Sequence, residues 1–403
     1  MMPNDVLGPI WVERSGLKIF SGQKVVDPKS KKCEGVYLQK LSKIKSHKKI
    51  DHHNNLEIET FHMITSVSFS NDGKYFLVCT NRKQLCLYEK DTLKLLSNRT
   101  LVRAASRVRF VSNNDIIVAD KAGDAYLFST SKPEENGKLL LGHLSMLLDI
   151  LVSDDQNYII TTDRDEKIRV SMFPNSYNIV SYCLGHTKFV TNISELPHSK
   201  NVLVSAGGDG MLLLWDYECG KALLSIDFHD RISENDIKKF KKELEEYHLD
   251  EAVEILPVKH MRLTALSLTS SLITLSFYNT SFLLVYKITG TIATGIQAEY
   301  LQSINVESEP VECVFDEQNL WLLAETGFDV YKFKGNNFVT HDDLKSRLKE
   351  LNSYWEMLKG NLLKENLFPI LYKRKFDNVQ EYLERKKMRL ASDQQKKNAN
   401  SFL

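Results

Sequence analysis

The chain has 403 residues, of which 42% are hydrophobic and 26% are charged, and its formal net charge is +1. This composition excludes a largely disordered chain, a collagen-like chain and a coiled-coil rod, and it gives no global attraction to nucleic acid. No apolar run reaches the ~18 residues of a membrane span, and residues 1–5 lack the features of a secretory signal. We therefore expect a reducing compartment and no membrane partner.

The predicted elements are short strands that recur in units of ~40–50 residues. The first unit lies around residues 10–41. The second contains a hairpin at residues 67–78, with an Asn71-Asp72-Gly73 turn, and a strand at residues 85–88. Comparable groups of strands follow at residues 108–128, 147–170, 202–216, 263–286 and 311–333.

Two Gly-His pairs set the period of these units. His143 and His186 lie 43 residues apart, within the ~40–45 residues of a WD-type propeller blade, and the dipeptide Trp215-Asp216 follows. About seven units predict an all-β fold, a seven-bladed WD-repeat β-propeller over residues 1–340, with a helical, basic extension over residues 341–403. A pair of β-sandwiches is the alternative, but it does not explain the shared period.

The best-formed unit contains four polar or aromatic residues that match the buried tetrad of WD repeats, namely His186, Ser205, Asp209 and Trp215. Buried polar groups need hydrogen-bond partners, and these four can satisfy one another. A catalytic Ser-His-Asp triad is the competing interpretation. It is disfavoured because no nucleophile elbow or oxyanion-hole pattern surrounds Ser205.

No motif predicts catalysis. The chain has no dinucleotide-binding glycine pattern, no P-loop and no zinc-protease helix, and its six cysteines form no C-x-x-C pair. We therefore expect no catalytic residue, no cofactor, no metal and no disulfide framework. The pattern is typical of a binding scaffold.

The two Gly-His units can be aligned at an offset of 44 residues. Asp165 then falls on Asp209 and Thr161 on Ser205, so we expect Asp165 to take the structural role of Asp209.

The same alignment shows an unusual strand. Lys167, Arg169 and Ser171 fall where the sister unit is apolar or aromatic, and strand alternation places them on one face. Arg164 and Glu166 occupy the adjoining turn. Two interpretations remain open, an intramolecular ion-pair network or a docking site for a partner carboxylate, for which the guanidinium of Arg169 is best suited.

Three segments around this strand, residues 142–149, 162–171 and 183–190, resemble the WD-repeat subunit of the tRNA (guanine-N7)-methyltransferase. Residues 371–379 resemble the C-terminal stretch of the same family. The resemblance implies a non-catalytic subunit, which forms a heterodimer with a separate S-adenosylmethionine-dependent catalytic subunit. That subunit makes 7-methylguanosine in the variable loop of tRNA.

The resemblance also implies that the unusual strand lies at the subunit interface. Its expected partner-binding residues are Arg164, Glu166, Lys167 and Arg169, and Arg169 would pair with an acidic residue of the catalytic subunit. The expected location is the nucleus, with the cytoplasm as a second compartment.

Two segments carry local charge. Residues 21–55 contain nine lysines against three acids, a net charge of +6, and predict a basic loop. Residues 227–254 carry a net charge of −5, and the 3–4 spacing of Ile237, Phe240, Leu244 and Tyr247 predicts a helical insertion between blades. That helix either packs on the propeller with a solvated face or contacts the partner protein.

The end of the chain leaves the strand pattern. A helical stripe of Leu344, Leu348, Leu351, Trp355 and Leu358 precedes Gly360 and is expected to pack on the propeller or on a partner. Residues 371–403 carry a net charge of +5. This tail is solvated, a nuclear-import address, or a contact with tRNA phosphates. The candidate tRNA contacts are Lys373, Arg374, Lys375, Arg385, Lys386 and Lys387.

Two other function classes compete with a methyltransferase scaffold. One is a general WD-repeat adaptor, for example for a ubiquitin ligase, but Glu218 stands where such adaptors often carry arginine after the WD dipeptide. The other is a propeller enzyme with carboxylates in its central channel, for which no hydrolase signature is present.

Overall fold

The computed structural model describes residues 11–13, 16–18, 64–245, 253–349, 352, 353, 355, 371 and 372. Within them, 24 strands form six four-stranded antiparallel sheets, and two more strands form a separate two-stranded sheet. In every four-stranded sheet the strands lie side by side in chain order, as in the blades of a propeller. The predicted all-β propeller is confirmed.

The first two strands, β1 (Trp11–Glu13) and β2 (Gly16–Lys18), pair with each other. Sheet 1 comprises β3 (Ile64–Phe69), β4 (Tyr75–Thr80), β5 (Gln84–Glu89) and β6 (Leu95–Thr100). Sheet 2 comprises β7 (Ala105–Phe110), β8 (Ile116–Asp120), β9 (Asp124–Phe128) and β10 (Lys138–Gly142). Sheet 3 comprises β11 (Leu147–Val152), β12 (Tyr158–Asp163), β13 (Ile168–Met172) and β14 (Ile179–Cys183).

Sheet 4 comprises β15 (Val190–Leu196), β16 (Ser199–Gly207), β17 (Met211–Asp216) and β18 (Lys221–Asp227). Sheet 5 comprises β19 (Val258–Ser267), β20 (Ser270–Phe277), β21 (Phe282–Thr291) and β22 (Gly295–Asn305). Sheet 6 comprises β23 (Pro310–Asp316), β24 (Asn319–Ala324), β25 (Gly327–Lys334) and β26 (Asn337–Thr340). The two helices are α1 (Glu234–Leu244) and α2 (Asp342–Arg347).

The first strand of each sheet is the inner one. These strands pack against one another in succession, from β3 through β7, β11, β15 and β19 to β23. In the part of the chain that the structure describes, no comparable contact joins β23 back to β3. The six sheets therefore follow one another around an axis, with β6, β10, β14, β18, β22 and β26 on the outside.

The count of seven blades stays a prediction. Six complete blades are described, and of the predicted unit at residues 10–41 only β1 and β2 fall within the described residues. The basic loop at residues 21–55 lies outside them.

The core lies between neighbouring sheets, because the two central strands of each blade bury side chains on both faces. Between sheets 3 and 4, Ile168 and Val170 of β13 pack against Leu213 and Trp215 of β17, and all four are at most 5% exposed. Such two-sided burial favours the continuous apolar runs that mark these strands in the sequence.

A helix, α1, lies within the predicted insertion at residues 227–254 and connects sheets 4 and 5. The side chain of Ser233 caps it by accepting a hydrogen bond from the Asp236 amide, and an acidic first turn complements the helix dipole. Ile237, Phe240 and Leu244 face the propeller and are buried. Tyr247 lies outside the described residues.

The C-terminal stripe packs on sheet 6, as one of its two interpretations expected. Leu348 and Trp355 are buried against Phe328 and Val330, and the Trp355 indole donates to the carbonyl of Glu325 at 2.9 Å. Leu351, Leu358 and Gly360 lie outside the described residues. Among the helices that are described, none has the length and apolar character that a membrane crossing needs.

Candidate partner-binding site

The tetrad of sheet 4 forms one hydrogen-bonded chain. His186 contacts Asp209 through Nδ1 at 2.8 Å and Ser205 through Nε2 at 2.7 Å, while the Trp215 indole donates to Ser205 Oγ at 2.8 Å. Ser205 and Trp215 are fully buried, so no substrate reaches the hydroxyl. The chain fastens the Gly185-His186 connection to the two central strands of the blade.

Sheet 3 repeats this chain with a different acid. His143 contacts Thr161 Oγ1 at 2.9 Å and Asp163 Oδ2 at 2.9 Å. Asp163, and not Asp165, therefore takes the role of Asp209, so the expectation for Asp165 was wrong. Asp163 also accepts from the Asp165 amide at 2.9 Å, which ties down the turn that follows it.

Asp163 in sheet 3 and Gly207 in sheet 4 occupy equivalent positions at the end of the second strand. This position explains why the two sheets use different aspartates. A Cβ at Gly207 would lie 2.0 Å from the carbonyl oxygen of Phe189, so sheet 4 cannot carry a side chain there and takes its carboxylate from Asp209. Asp120 occupies the corresponding position in sheet 2, pairing with the start of β7 as Asp163 pairs with the start of β11. The aspartate that recurs at the ends of β8 and β12 is a signal in the sequence. The alignment of the two Gly-His units at an offset of 44 residues did not detect it.

The tryptophan of the tetrad has no counterpart in sheet 3, where Arg169 makes other contacts. Ser171 stands at the position of Trp215, and the Arg169 Nε donates to its hydroxyl at 2.9 Å. The two terminal nitrogens donate to the carbonyls of Gly142 at 3.3 Å and Ser176 at 3.0 Å. Arg169 thereby links β13 to the outer strand of sheet 2 and to the loop before β14.

All three acceptors of Arg169 are uncharged. Within the described residues no carboxylate pairs with Arg169 or with Lys167, so the predicted ion-pair network does not form for these two cations. A guanidinium has five N–H groups, and the three hydrogen bonds leave two of them without a partner among those residues. The half-buried side chain is thus fixed in position but not neutralised.

The other predicted partner-binding residues lie in the turn before β13. Lys167 and Glu166 are exposed, and Glu166 has a positive φ of 63°. Since β13 begins at Ile168, Lys167 belongs to the turn and not to the strand face that alternation predicted. Arg164 is half-buried, and its amide donates to the carbonyl of Met146 at 2.9 Å.

An exposed apolar surface surrounds Arg169. Of the thirteen large hydrophobic side chains exposed among the described residues, eight lie between residues 139 and 184, so the exposure concentrates at the outer edges of sheets 2 and 3. Tyr182 pairs with Arg169 across the strands, and Ile179 pairs with Ser171, so both share its face. We call this surface the outer patch and define it by Leu139, Tyr177, Ile179, Val180 and Tyr182, which are 40–76% exposed.

Sequence reasoning missed the outer patch, although the sequence contains a signal for it. The outer strand of a blade faces water and is expected to alternate with polar residues. Residues 177–184 instead read Tyr-Asn-Ile-Val-Ser-Tyr-Cys-Leu. A concentration of exposed apolar side chains in one region is typical of an interaction site.

The inner strands hold a buried charge network. Asp149 on β11 is fully buried and contacts Arg107 Nε at 3.1 Å and Arg109 Nη2 at 2.7 Å, both on β7. Its carboxylate also accepts from the Ile193 amide on β15 at 2.9 Å. Burial alone would raise the pKa of Asp149, but the two guanidinium groups outweigh it and hold that pKa below its ordinary value.

This network gives Asp149 a structural role, since it joins sheets 2, 3 and 4. On the other side of the ring, Glu309 pairs with Lys259 at 2.7 Å and Glu312 with Arg262 at 2.7 Å. These two carboxylates, Glu309 just before β23 and Glu312 on it, are thus engaged by cations. In the described part of the chain, no group of three or more His, Cys, Asp or Glu residues is arranged to hold a metal ion.

The candidate tRNA-contacting residues cannot be placed. Lys373, Arg374, Lys375, Arg385, Lys386 and Lys387 all lie outside the described residues, although Leu371 and Tyr372, directly before them, are described.

Comparison with known proteins places these features in context. The family model described as the tRNA methyltransferase TRM82 WD40 domain matches residues 22–136 and 129–325. The human protein named tRNA (guanine-N(7)-)-methyltransferase non-catalytic subunit WDR4 is 33% identical over 335 residues, covering 80% of this chain and 76% of that protein. Its Xenopus laevis counterpart is 34% identical over 342 residues, covering 83% and 82%.

Another relative carries a different gene name. The Culex quinquefasciatus protein named tRNA (guanine-N(7)-)-methyltransferase non-catalytic subunit wuho is 33% identical over 342 residues, covering 81% of this chain and 76% of that protein. Among solved structures, a chain of "Crystal Structure of Mitotic Checkpoint Complex" matches with a TM-score of 0.53 at 14% identity, covering 68% of this chain and 75% of that chain. That match supports the fold alone.

Proposed function

Because this chain belongs to the family of tRNA (guanine-N(7)-)-methyltransferase non-catalytic subunits, we propose that it acts by binding and stabilising a separate catalytic subunit. The two chains form a heterodimer. The catalytic subunit, which uses S-adenosylmethionine, forms 7-methylguanosine in the variable loop of tRNA. The chain itself contributes shape and binding free energy, and no reacting group.

The observation that carries this proposal is the fixed but unneutralised guanidinium of Arg169 within the outer patch. Arginine and tyrosine are the residue types that most often dominate the energetics of protein interfaces. Here Arg169 is held by three hydrogen bonds, so little side-chain entropy is lost on binding, and Tyr182 lies beside it. A carboxylate of the catalytic subunit would take up the two remaining N–H groups.

The scaffold would act through linkage. A partner that binds only the active conformation of an enzyme raises the population of that conformation by its differential binding free energy. The blades around Arg169 are braced by the Asp149 network, by the tetrad of sheet 4 and by the His143–Thr161–Asp163 chain of sheet 3, which keep the docking surface rigid.

The docking proposal is tested by co-purification of the tagged chain with the catalytic subunit. We expect Arg169→Glu to abolish capture, since it replaces the free donors with a like charge opposite the partner carboxylate. Lys221→Glu is the matched control, because Lys221 is an exposed cation on β18, the outer strand of sheet 4. Circular dichroism and thermal melting confirm that both variants are folded. If folded Arg169→Glu captures the catalytic subunit as well as the wild type does, Arg169 does not lie at the interface.

The scaffold role is tested by guanine-N7 methylation of a tRNA transcript with this chain alone, the catalytic subunit alone, and both. The proposal requires methylation only with both, or much faster methylation with both. A general adaptor would leave the rate of the catalytic subunit unchanged, and a propeller enzyme would act alone. Equal rates with and without this chain contradict the proposal.

We further propose that the basic tail contacts tRNA phosphates and that the complex acts in the nucleus. The support is the net charge of +5 over residues 371–403, which suits a sequence-independent phosphate contact. Truncation at Leu371 is expected to weaken tRNA binding at physiological salt and to reduce the dependence of affinity on salt. An unchanged salt slope excludes contact between the tail and RNA, and imaging of a tagged chain tests the location.

A seventh blade before residue 64 would complete the ring. Leu77 and Leu87 of sheet 1 pack against sheet 2, whereas the opposite face of sheet 1 carries side chains that are at most 1% exposed. These are Phe76, Val78, Cys86 and Tyr88. A face so deeply buried needs a neighbouring layer, and the missing contact between β23 and β3 among the described strands supports a further blade between them.

A further inference from the structure

The chain segment just before the basic tail is seated in an aromatic pocket. Leu371 is 5% exposed and belongs to the same core cluster as Phe189 and Phe240. The Tyr372 ring meets Phe189 edge-on, with ring centroids 5.4 Å apart, and lies 6.4 Å from the ring of Phe240. We call this pocket, formed by Phe189 and Phe240, the tail seat.

The two rings that form the tail seat are each fixed by further buried contacts. Phe240 is 1% exposed on the buried face of α1, which shares its core cluster with Phe228 and Phe277. Phe189 sits over the turn of sheet 4, where the Gly208 amide donates to its carbonyl at 3.0 Å. A Cβ at Gly208 would lie 2.5 Å from the Phe189 ring, so the glycine at this turn is required by the wall of the pocket.

The tail seat adjoins the turn that carries the predicted docking residues. Val190 directly follows Phe189, and its carbonyl accepts from the hydroxyl of Thr162, two residues before Arg164, at 2.9 Å. The Arg164 amide in turn donates to the carbonyl of Met146. Tyr372, which directly precedes the basic tail in the sequence, therefore lies on the side of the molecule that carries the proposed interface with the catalytic subunit.

We propose that α1 and Phe189 are positioning elements, which hold the base of the tail so that its cations meet tRNA bound by the complex. This inference rests on the proposed function. It assigns the helical insertion an anchoring role within this chain, which differs from contact with the partner protein. The anchor increases the local concentration of the tail cations near the RNA, because a tethered group binds as an intramolecular one.

The experiment uses the full-length heterodimer with Tyr372→Ala, the conservative variant Tyr372→Phe, and Tyr158→Ala as the matched control. Tyr158 is half-buried and meets Tyr217 edge-on, with ring centroids 5.8 Å apart, and it packs in a core cluster separate from that of the tail seat. The first readout is the rate of trypsin cleavage at residues 373–375. Loss of an aromatic contact together with its burial is expected to accelerate that cleavage roughly tenfold in Tyr372→Ala. Tyr372→Phe and Tyr158→Ala should be cleaved there at the wild-type rate.

The second readout is the Kd for a tRNA transcript over a range of salt concentrations. Tyr372→Ala should raise this Kd roughly three- to tenfold near ~0.15 M salt, with a shallower salt slope, and Tyr372→Phe should restore both. If trypsin cleaves Tyr372→Ala at the wild-type rate, Tyr372 does not anchor the tail and the proposal is wrong. If cleavage is faster but the Kd for tRNA is unchanged, the seat does not position the tail for tRNA binding. Cleavage is measured without RNA, so it remains a test of the seat even if the heterodimer methylates no tRNA and the proposed function fails.

Discussion

Removal of the charge on Asp149 should destabilise the propeller more than any exposed substitution. Asp149→Asn keeps the size of the side chain and its ability to accept from the Ile193 amide, but it leaves Arg107 and Arg109 without a counter-charge. Breaking a fully buried ion pair costs ~3–5 kcal/mol. The two arginine side chains are 32% and 35% exposed, so water offsets part of that cost. We expect a loss of about 2–4 kcal/mol.

A loss of this size should lower the melting temperature by roughly 2–5 °C, since an unfolding entropy of about 2.1 cal/mol/K per residue makes each kcal/mol worth ~1.2 °C in a chain of 403 residues. Differential scanning calorimetry at pH 7 measures it. Glu135→Gln is the control, because Glu135 pairs with Lys132 in an exposed ion pair and should change Tm by less than ~1 °C.

Two further measurements check this reasoning, namely the energetic coupling between Asp149 and Arg109 and the pH dependence of stability. Arg109→Gln should cost less in the Asp149→Asn background than in the wild type, because the charge that it pairs with is already gone. The pKa of Asp149 lies below its ordinary value, so its contribution is present at neutral pH and is lost as the pH falls through that lowered pKa. A Tm for Asp149→Asn within 1 °C of the wild type at pH 7 would refute the reasoning.

Two further substitutions test particular side chains. Burial raises the pKa of Glu195 to about 7, so folding disfavours its ionised form and stability should fall as the pH rises from ~4.3 towards 7. Glu195→Gln should therefore be more stable than the wild type by about 1 kcal/mol at pH 8, after allowance for solvent, with no gain at pH 4. Asp163→Ala should lower Tm by several degrees, because it strips a buried partner from His143, whereas Asp165→Ala should lower it much less. Equal Tm losses at Asp163 and Asp165 would contradict the assignment, as would a Glu195→Gln gain that is independent of pH.

The sequence predicts the fold well where one residue type has one structural use. The Gly-His pairs and Trp215 locate sheets 3 and 4, because a buried histidine and indole need partners at fixed places in a blade. The Asn71-Asp72-Gly73 turn likewise locates β3 and β4, with Gly73 at a positive φ of 68°. The helical period of Ile237 and Phe240 predicts α1.

Features that depend on contacts between distant segments were harder to predict. The carboxylate that reaches His143 comes from Asp163, because that strand-end position is open in sheet 3 and closed in sheet 4 by the approach of Phe189. Arg169 could be identified as an unusual residue, but its three uncharged acceptors come from elements that no local pattern brings together. The seat for Tyr372 joins residues that are 183 and 132 positions apart along the chain.

The outer patch also bears on how the cell must supply this chain. Tyrosine, isoleucine and valine side chains at the rim of an otherwise polar ring favour self-association when nothing covers them. A chain made in excess over its catalytic subunit would therefore be prone to aggregation and to degradation by the cell's protein quality-control system. On this basis, balanced synthesis of the two subunits would matter as much to the cell as the strength of their contact.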